Sequence, residues 1–198
     1  MPNARYTDLQ LDALRELANI GSGTAGTALS SLLGSTIELS VPSASALELA
    51  EAVEAAGAPE DVVWGVVVPV SGQVDATALL VIGDADARTL CAMLGVEADT
   101  DTGRSALGEI GNIMVSSYVG ALATMTGFEL DLRPPESTRD MLGAVVASVL
   151  AAHSDAHELA LVLDSELEVA GEACTLSFML LPTPAGVAEL LHRIGLGD

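Results

Sequence analysis

The sequence predicts an α+β fold made of two similar halves, in which helices cover a single antiparallel sheet. Two observations support this prediction. A polar pattern of the form D/S-x3-E-x2-N-x22-P occurs twice at an offset of 93 residues, and each copy is followed by the same order of helical and strand-like segments. Because this offset is too long for a solenoid repeat, the agreement indicates an internal duplication.

The two halves are expected to share one domain. A chain of 198 residues, half of them apolar, can bury a sizeable core without disulfides or metals. The first half covers about residues 8–95 and the second about residues 104–195, with the segment EADTDTG as the joint between them. Each half has the order helix, strand, helix, hairpin, helix, so we expect a pseudo-two-fold axis relating them.

A long helix is predicted at the start of each half. Apolar residues recur at helical spacing over Leu9–Leu33 and over about Ser105–Thr126. Each run stops at a glycine, Gly34 or Gly127, and glycine is the usual residue just past a helix C-terminus.

A short strand and a second helix follow in each half. The strands alternate in polarity and run into proline, which excludes a central position in the sheet at that point. The predicted strands are Thr36–Val41 before Pro42 and Phe128–Leu132 shortly before Pro135, and the predicted helices are Ser45–Ala56 and Ser137–Ala152.

Each half closes with a hairpin and a helix. Apolar, β-branched runs separated by short glycine-containing turns predict the hairpins. Their strands are Val62–Val70 with Ala76–Ile82, and Glu158–Val169 with Glu172–Leu181. The closing helices are Asp84–Leu94 and Pro184–Ile194, with Asp84 and Thr183 as candidate N-cap residues.

The duplicated motif provides the candidate site residues. At 100° per residue Asp12, Glu16 and Asn19 fall within a stripe about 60° wide, opposite the apolar side of the helix. Ser105, Glu109 and Asn112 repeat the arrangement in the second half. Such a stripe is often only a solvated helix face, and asparagine also bonds to the backbone at helix bends. Asparagine is a poor helix former, however, so its presence in both halves favours a specific function.

The two motif-bearing helices, LDALRELANIGSGTAGTALSSLLG and SALGEIGNIMVSSYVGALATMTG, resemble those of the CheC family of chemotaxis phosphatases. The resemblance extends from about Asp8 to about Ile194. Related flagellar-switch phosphatases carry an additional domain, for which this length leaves no room. CheX-type relatives usually keep one working motif, whereas both copies are complete here.

The resemblance implies a function. Asn19 and Asn112 would orient the water that attacks the phosphoaspartate of a CheY-type response regulator, because a neutral amide can hold water beside a phosphoryl group. Glu16 and Glu109 would pair with the regulator's active-site lysine. Mg2+ would come with the regulator, so no cofactor or metal site is expected on this chain. Asp12 and Ser105 are expected to cap or polarise the stripe.

Other partners follow from the same resemblance. CheC proteins also bind the deamidase CheD, so CheD is a second expected partner. The alternatives to a phosphatase are a non-catalytic module that binds CheD and an adaptor at the flagellar or archaellar motor. Because the two halves already bury each other, we expect a monomer.

Charge excludes other classes of function. With 28 acidic residues, seven arginines, no lysine and a net charge of -21, the chain lacks the cationic face that nucleic acids and anionic membranes require. The same composition favours a host with a salty cytoplasm, where salt screens the repulsion. No long apolar run or signal sequence is found, so we expect a cytoplasmic protein.

Three further patterns are assigned structural roles. The sequence GSGTAG at residues 21–26 matches a dinucleotide-binding pattern but lies within a helix, so close helix packing is the better interpretation. Cys91 and Cys174 are expected to be buried free thiols. His153 and His157 are four residues apart but lack further ligand residues nearby, so a metal site is not expected.

Overall fold

A computed structural model describes residues 8–151, 159–169 and 172–193 of the chain. It confirms the α+β fold, with one antiparallel sheet between two groups of helices. The elements in chain order are α1 (Asp8–Leu33), β1 (Ile37–Glu48), α2 (Leu49–Ala56), β2 (Val62–Gly72), β3 (Ala76–Gly83), α3 (Asp84–Met93), α4 (Asp101–Thr126), β4 (Leu130–Leu132), β5 (Glu136–Met141), α5 (Leu142–Ala151), β6 (Leu159–Val169), β7 (Glu172–Pro182) and α6 (Pro184–Arg193).

The two long helices form as predicted, except that α4 begins four residues earlier than expected. Thr100, in the joint between the halves, caps α4 by accepting a hydrogen bond from the Gly103 N–H at 3.0 Å. Both C-terminal glycines adopt the left-handed conformation that favours glycine, with φ of 66° at Gly34 and 72° at Gly127.

The sheet has the order β1-β6-β7-β3-β2-β4, and β5 also pairs with β2. Both predicted hairpins, β2–β3 and β6–β7, are confirmed, and they join through β3 and β7 at the centre. The remaining strands cross between the halves, because β1 pairs with β6 while β4 and β5 pair with β2. Read from the other edge the order is β4-β2-β3-β7-β6-β1, so the two hairpins occupy equivalent places in the sheet.

The predicted second helices begin too early in both halves. The segment from Ser45 to Glu48 continues β1, and the segment from Ser137 to Met141 belongs to β5, so the helices start at Leu49 and Leu142. These segments form strands instead of helices because each pairs with a strand of the opposite half, which local propensity does not reveal. The register of β1 shifts between Ser40 and Ser43, around Pro42, which suits a proline in an edge strand.

The predicted N-caps of the closing helices have different outcomes. Thr183 accepts a hydrogen bond from the Gly186 N–H at 3.1 Å and caps α6 as expected. The prediction for Asp84 is wrong, because Gly83 occupies the N-cap position and Asp84 is the first helical residue. The Asp84 carboxylate instead binds two arginines.

Helices α1 and α4 pack directly against each other in antiparallel directions. A side chain added at Gly21 of α1 would collide with Tyr118 of α4. One turn earlier in α1, Leu17 lines a small cavity together with Leu122, which lies one turn later in α4. Position 21 is therefore a close helix contact, as the sequence predicted for the glycine-rich segment.

Tyr118 is fixed in this contact from two sides. Its hydroxyl lies 2.9 Å from the Ser165 Oγ on β6, and its ring lies 4.8 Å from that of Phe178 on β7. The side chain is almost fully buried, and burial raises the pKa of its hydroxyl. Tyr118 therefore connects the helix pair to the centre of the sheet.

Cys91 and Cys174 are buried and are not joined in a disulfide, as predicted. The pKa of Cys91 is raised because burial disfavours the thiolate, and its Sγ lies 3.7 Å from the Gly103 carbonyl oxygen. His153 and His157 lie outside the described residues.

Candidate functional site

The first site consists of Glu16 and Asn19 on α1. Both side chains are exposed, whereas Leu17 and Ala18 between them are buried in the core. Residues three apart on a helix are surface neighbours, so the carboxylate and the amide can reach one docked group. Asp12 lies one turn earlier in α1, but its side chain is outside the described part of the structure.

The second site consists of Glu109 and Asn112 on α4. Glu109 is exposed and Asn112 is half-buried, while the intervening Ile110 and Gly111 face the core. Gly111 is required there, because any side chain would collide with Val66 of β2. Ser105 is exposed one turn before Glu109. The structure thus brings Glu and Asn together in each half.

No described residue forms a hydrogen bond or an ion pair with the side chain of Glu16, Asn19, Glu109 or Asn112. The backbone carbonyls of both asparagines instead accept hydrogen bonds from serine hydroxyls. Asn19 accepts from Ser22 at 3.0 Å and Asn112 accepts from Ser116 at 2.6 Å. The interpretation that these asparagines serve to bond the helix backbone therefore finds no contact in the described structure. Their amide groups can accept and donate to a docked group.

The two sites face away from the contact between α1 and α4. With 100° per residue, Gly21 lies about 160° around α1 from Asn19, and Tyr118 lies about 180° around α4 from Glu109. Since Gly21 and Tyr118 touch, each motif lies on the far side of its own helix. The structure therefore presents two separate sites instead of one combined site.

A cluster of ion pairs lies close to the start of α4 and connects the two halves. Arg139 of β5 binds Asp84 at 2.7 Å, and Arg88 of α3 binds both Asp84 at 3.1 Å and Asp99 at 2.9 Å. The hydrogen bond from Arg139 is the main cause that lowers the pKa of Asp84 below its ordinary value. The four-residue spacing of Asp84 and Arg88 was available from the sequence, whereas the pairing with Arg139 depends on the crossing of β5 to β2.

A cleft of about 350 Å3 lies beside the start of α3, and its lining includes Asp84 but none of the motif residues. Its carboxylates are occupied by structural contacts: Asp84 binds the arginines, Asp86 accepts from the Thr175 N–H at 3.2 Å and Asp61 accepts from the Ala58 N–H at 2.9 Å. No cluster of three or more potential metal ligands occurs among the residues that the structure describes.

No helix within residues 8–151, 159–169 and 172–193 is long and apolar enough to span a membrane.

Comparison with known proteins gives the family. The profile of the CheC-like family matches residues 9–45 and 103–139, which contain the two copies of the motif. The CheY-P phosphatase CheC of Bacillus subtilis is 32% identical over 166 residues, which are 80% of this chain and 79% of that protein. The chain belongs to the CheC-like family.

Solved structures show that this CheC-like protein shares its fold with flagellar and chemotaxis proteins. FliY of Thermotoga maritima superposes with a TM-score of 0.75 at 19% identity, covering 98% of this chain and all of that one. CheX of Borrelia burgdorferi, solved in a complex with CheY, BeF3 and Mg2+, gives a TM-score of 0.50 at 16% identity and covers 85% of this chain and 99% of that one.

Proposed function

We propose that this CheC-like protein is a phosphatase that hydrolyses the phosphoaspartate of a CheY-type response regulator. The observation that carries the proposal is a Glu and Asn pair on each of two long helices, exposed on α1 and with a half-buried asparagine on α4. None of these four side chains has a partner among the described residues. It is supported by the relationship to the CheY-P phosphatase CheC and by the fold shared with a CheX that was solved with CheY.

Asn19 and Asn112 would align the attacking water. Phosphoryl transfer needs little covalent work from the protein, so most of the rate enhancement comes from alignment and charge stabilisation. The water oxygen forms a bond to phosphorus, the bond from phosphorus to the aspartyl oxygen breaks, and the aspartate leaves as a carboxylate. A neutral amide holds the water without the repulsion that a carboxylate would add beside a phosphoryl group.

Glu16 and Glu109 would fix the regulator in register by pairing with its active-site lysine. Each glutamate is exposed and has no cation among the described residues, so it can bind one from outside the chain. Mg2+ would be supplied by the regulator. Binding of CheD and a monomeric state remain predictions.

The proposal is tested by release of inorganic phosphate from a phosphorylated CheY-type regulator at high salt. Asn19→Ala with Asn112→Ala should remove most of the acceleration, since loss of one positioned catalytic group commonly costs on the order of 100-fold at its site. Each single variant should keep the activity of the other site. Glu54→Ala, an exposed glutamate on α2, is the matched surface control and should be fully active.

Two results would contradict the proposal. No acceleration by the unmodified protein would contradict the phosphatase function, and full activity in the double Asn variant would contradict the role of the amides.

Glu16→Ala with Glu109→Ala tests the docking role of the glutamates, because loss of the cation pairing should weaken regulator binding and lower kcat together.

A further inference from the structure

We propose that the solvent face of α1 beside the first site is the docking surface for the regulator, that Ile20 positions the regulator on it, and that the first site consequently binds more tightly than the second. This inference rests on the proposed phosphatase function and names a residue that would set affinity at one of its two sites.

Ile20 is a large apolar side chain in an unusual position. It is 39% exposed, directly after Asn19 and one helical turn after Glu16. The other large hydrophobic side chains that are exposed in the described structure, Val62 and Met141, pair with each other across β2 and β5. Single exposed hydrophobics are common, but this one borders two polar groups that are free to bind a partner.

Beyond Arg15 and Glu16, the part of α1 that follows Ile20 carries no charged residue. No Asp, Glu, Arg or Lys occurs in residues 17–37, although the whole chain has 28 acidic and seven basic residues. The exposed positions of α1 after Ile20 include Gly23, Thr24, Thr27 and Ser31. On a protein with a charge of -21, an uncharged face is where another protein can dock with the least electrostatic repulsion and desolvation.

The hydroxyl groups on this face already have acceptors. Thr24 donates to the Ile20 carbonyl at 3.2 Å, Thr27 to the Gly23 carbonyl at 3.0 Å and Ser31 to the Thr27 carbonyl at 3.2 Å. Covering them therefore leaves no donor unsatisfied. A Cβ added at Gly23 would have no neighbour within 4 Å, so the helix backbone there is open to a docked surface.

The second site offers less of this surface. Ile113, which corresponds to Ile20, is half-buried and packs against the core, and Asn112 is also half-buried. Ser116 stands where the first half has Gly23, and its hydroxyl binds the Asn112 carbonyl. An apolar contact with the regulator is thus expected mainly at the first site.

The experiment isolates each site. Asn112→Ala leaves the first site, Asn19→Ala leaves the second, and Ile20→Ser is added to each background. With a phosphorylated CheY-type regulator, Ile20→Ser should raise KM about tenfold at the first site with kcat unchanged, because an interaction that is equally strong in the ground and transition states contributes to binding alone. It should have no effect at the second site, and Ile20→Leu should restore KM.

Two matched controls guard against nonspecific effects. Val62→Ser removes an equally exposed hydrophobic side chain from the sheet and should leave KM unchanged. Thr24→Asp places a charge on the docking face and should raise KM at the first site. Thr89→Asp should not, although Thr89 on α3 likewise donates its hydroxyl to the carbonyl four residues earlier.

The outcomes are distinct from those that test catalysis. Affinity for the regulator loaded with beryllofluoride and Mg2+ is measured in parallel, so Ile20→Ser is judged by Kd even if turnover is absent and the phosphatase function fails. An unchanged KM and Kd in the first-site background, or equal changes of KM in both backgrounds, would overturn the docking role. A shift by Ile20→Ser from dimer to monomer in light scattering would also overturn it, because the face would then bind a second copy of the chain.

Discussion

Replacement of Gly21 by alanine tests the packing that holds the two site-bearing helices together. The new Cβ would collide with Cδ1 of Tyr118 and lie 2.8 Å from Cε1 and 3.1 Å from Cα of the same residue. The ring has little freedom to move away, because its hydroxyl is bonded to Ser165 and its centroid lies 4.8 Å from that of the Phe178 ring. The Cα belongs to the backbone of α4, so relief requires the helices to separate.

Gly23→Ala is the matched control, since it places the same methyl group on α1 in open space. Both variants gain about 1 kcal/mol of helix propensity, so that gain cancels between them. The remaining difference is the overpacking at Gly21, typically about 1–3 kcal/mol. For a domain of this size, in which 1 kcal/mol shifts the melting temperature by about 2–4 °C, we expect Gly21→Ala to melt about 2–12 °C below Gly23→Ala.

The assay is thermal unfolding by circular dichroism at high salt, with urea unfolding as a second measurement. A Gly21→Ala protein as stable as Gly23→Ala would refute the close antiparallel contact of α1 with α4. The distance between the helices in the structure would then be wrong, and so would the arrangement that directs the two sites away from each other.

Two further predictions concern charge. In KCl from 0.01 M to 1 M the Debye length falls from about 30 Å to about 3 Å, so the melting temperature should rise as screening relieves the repulsion of a chain with a charge of -21; a flat or falling curve would remove the argument for a salty cytoplasm. The pKa of Asp84 is lowered in the folded protein, chiefly by Arg139, so its contribution to stability is present above the ordinary aspartate pKa and is lost as the pH falls through the lowered value. Between pH 5 and pH 2 the free energy of unfolding should therefore fall less steeply with pH in Asp84→Asn than in the unmodified protein. Identical slopes would contradict the role of this ion pair.

The sequence allowed good prediction of the parts of the fold that depend on local patterns. The long helices, their terminal glycines and the two hairpins follow from periodicity and turn chemistry within short segments. The stripe containing Glu and Asn was predictable for the same reason, since helical geometry alone places residues three apart on one face.

The parts that failed depend on distant partners. The segment ESTRDM has no apolar alternation, and it forms β5 because β2 of the other half offers an open edge. The second half of β1 was assigned to a helix for a similar reason, because its partner β6 is far away in sequence. Asp84 resembles a helix cap locally, but the fold brings Arg139 close to its carboxylate. The half-burial of Asn112 and the exposure of Ile20 likewise emerge only after the helices have packed.

The crossing of strands between the halves has a consequence for synthesis of the protein. Glu48 at the end of β1 pairs with Leu159 of β6, about 110 residues later, so at 5–20 residues per second the ribosome needs roughly 6–20 s to deliver that partner. During this time the nascent first half has a complete hairpin with open edges and no place for β1. Contacts this distant in sequence slow folding, and open strand edges promote aggregation. The first half therefore acquires its final strand order only when nearly the whole chain has been made.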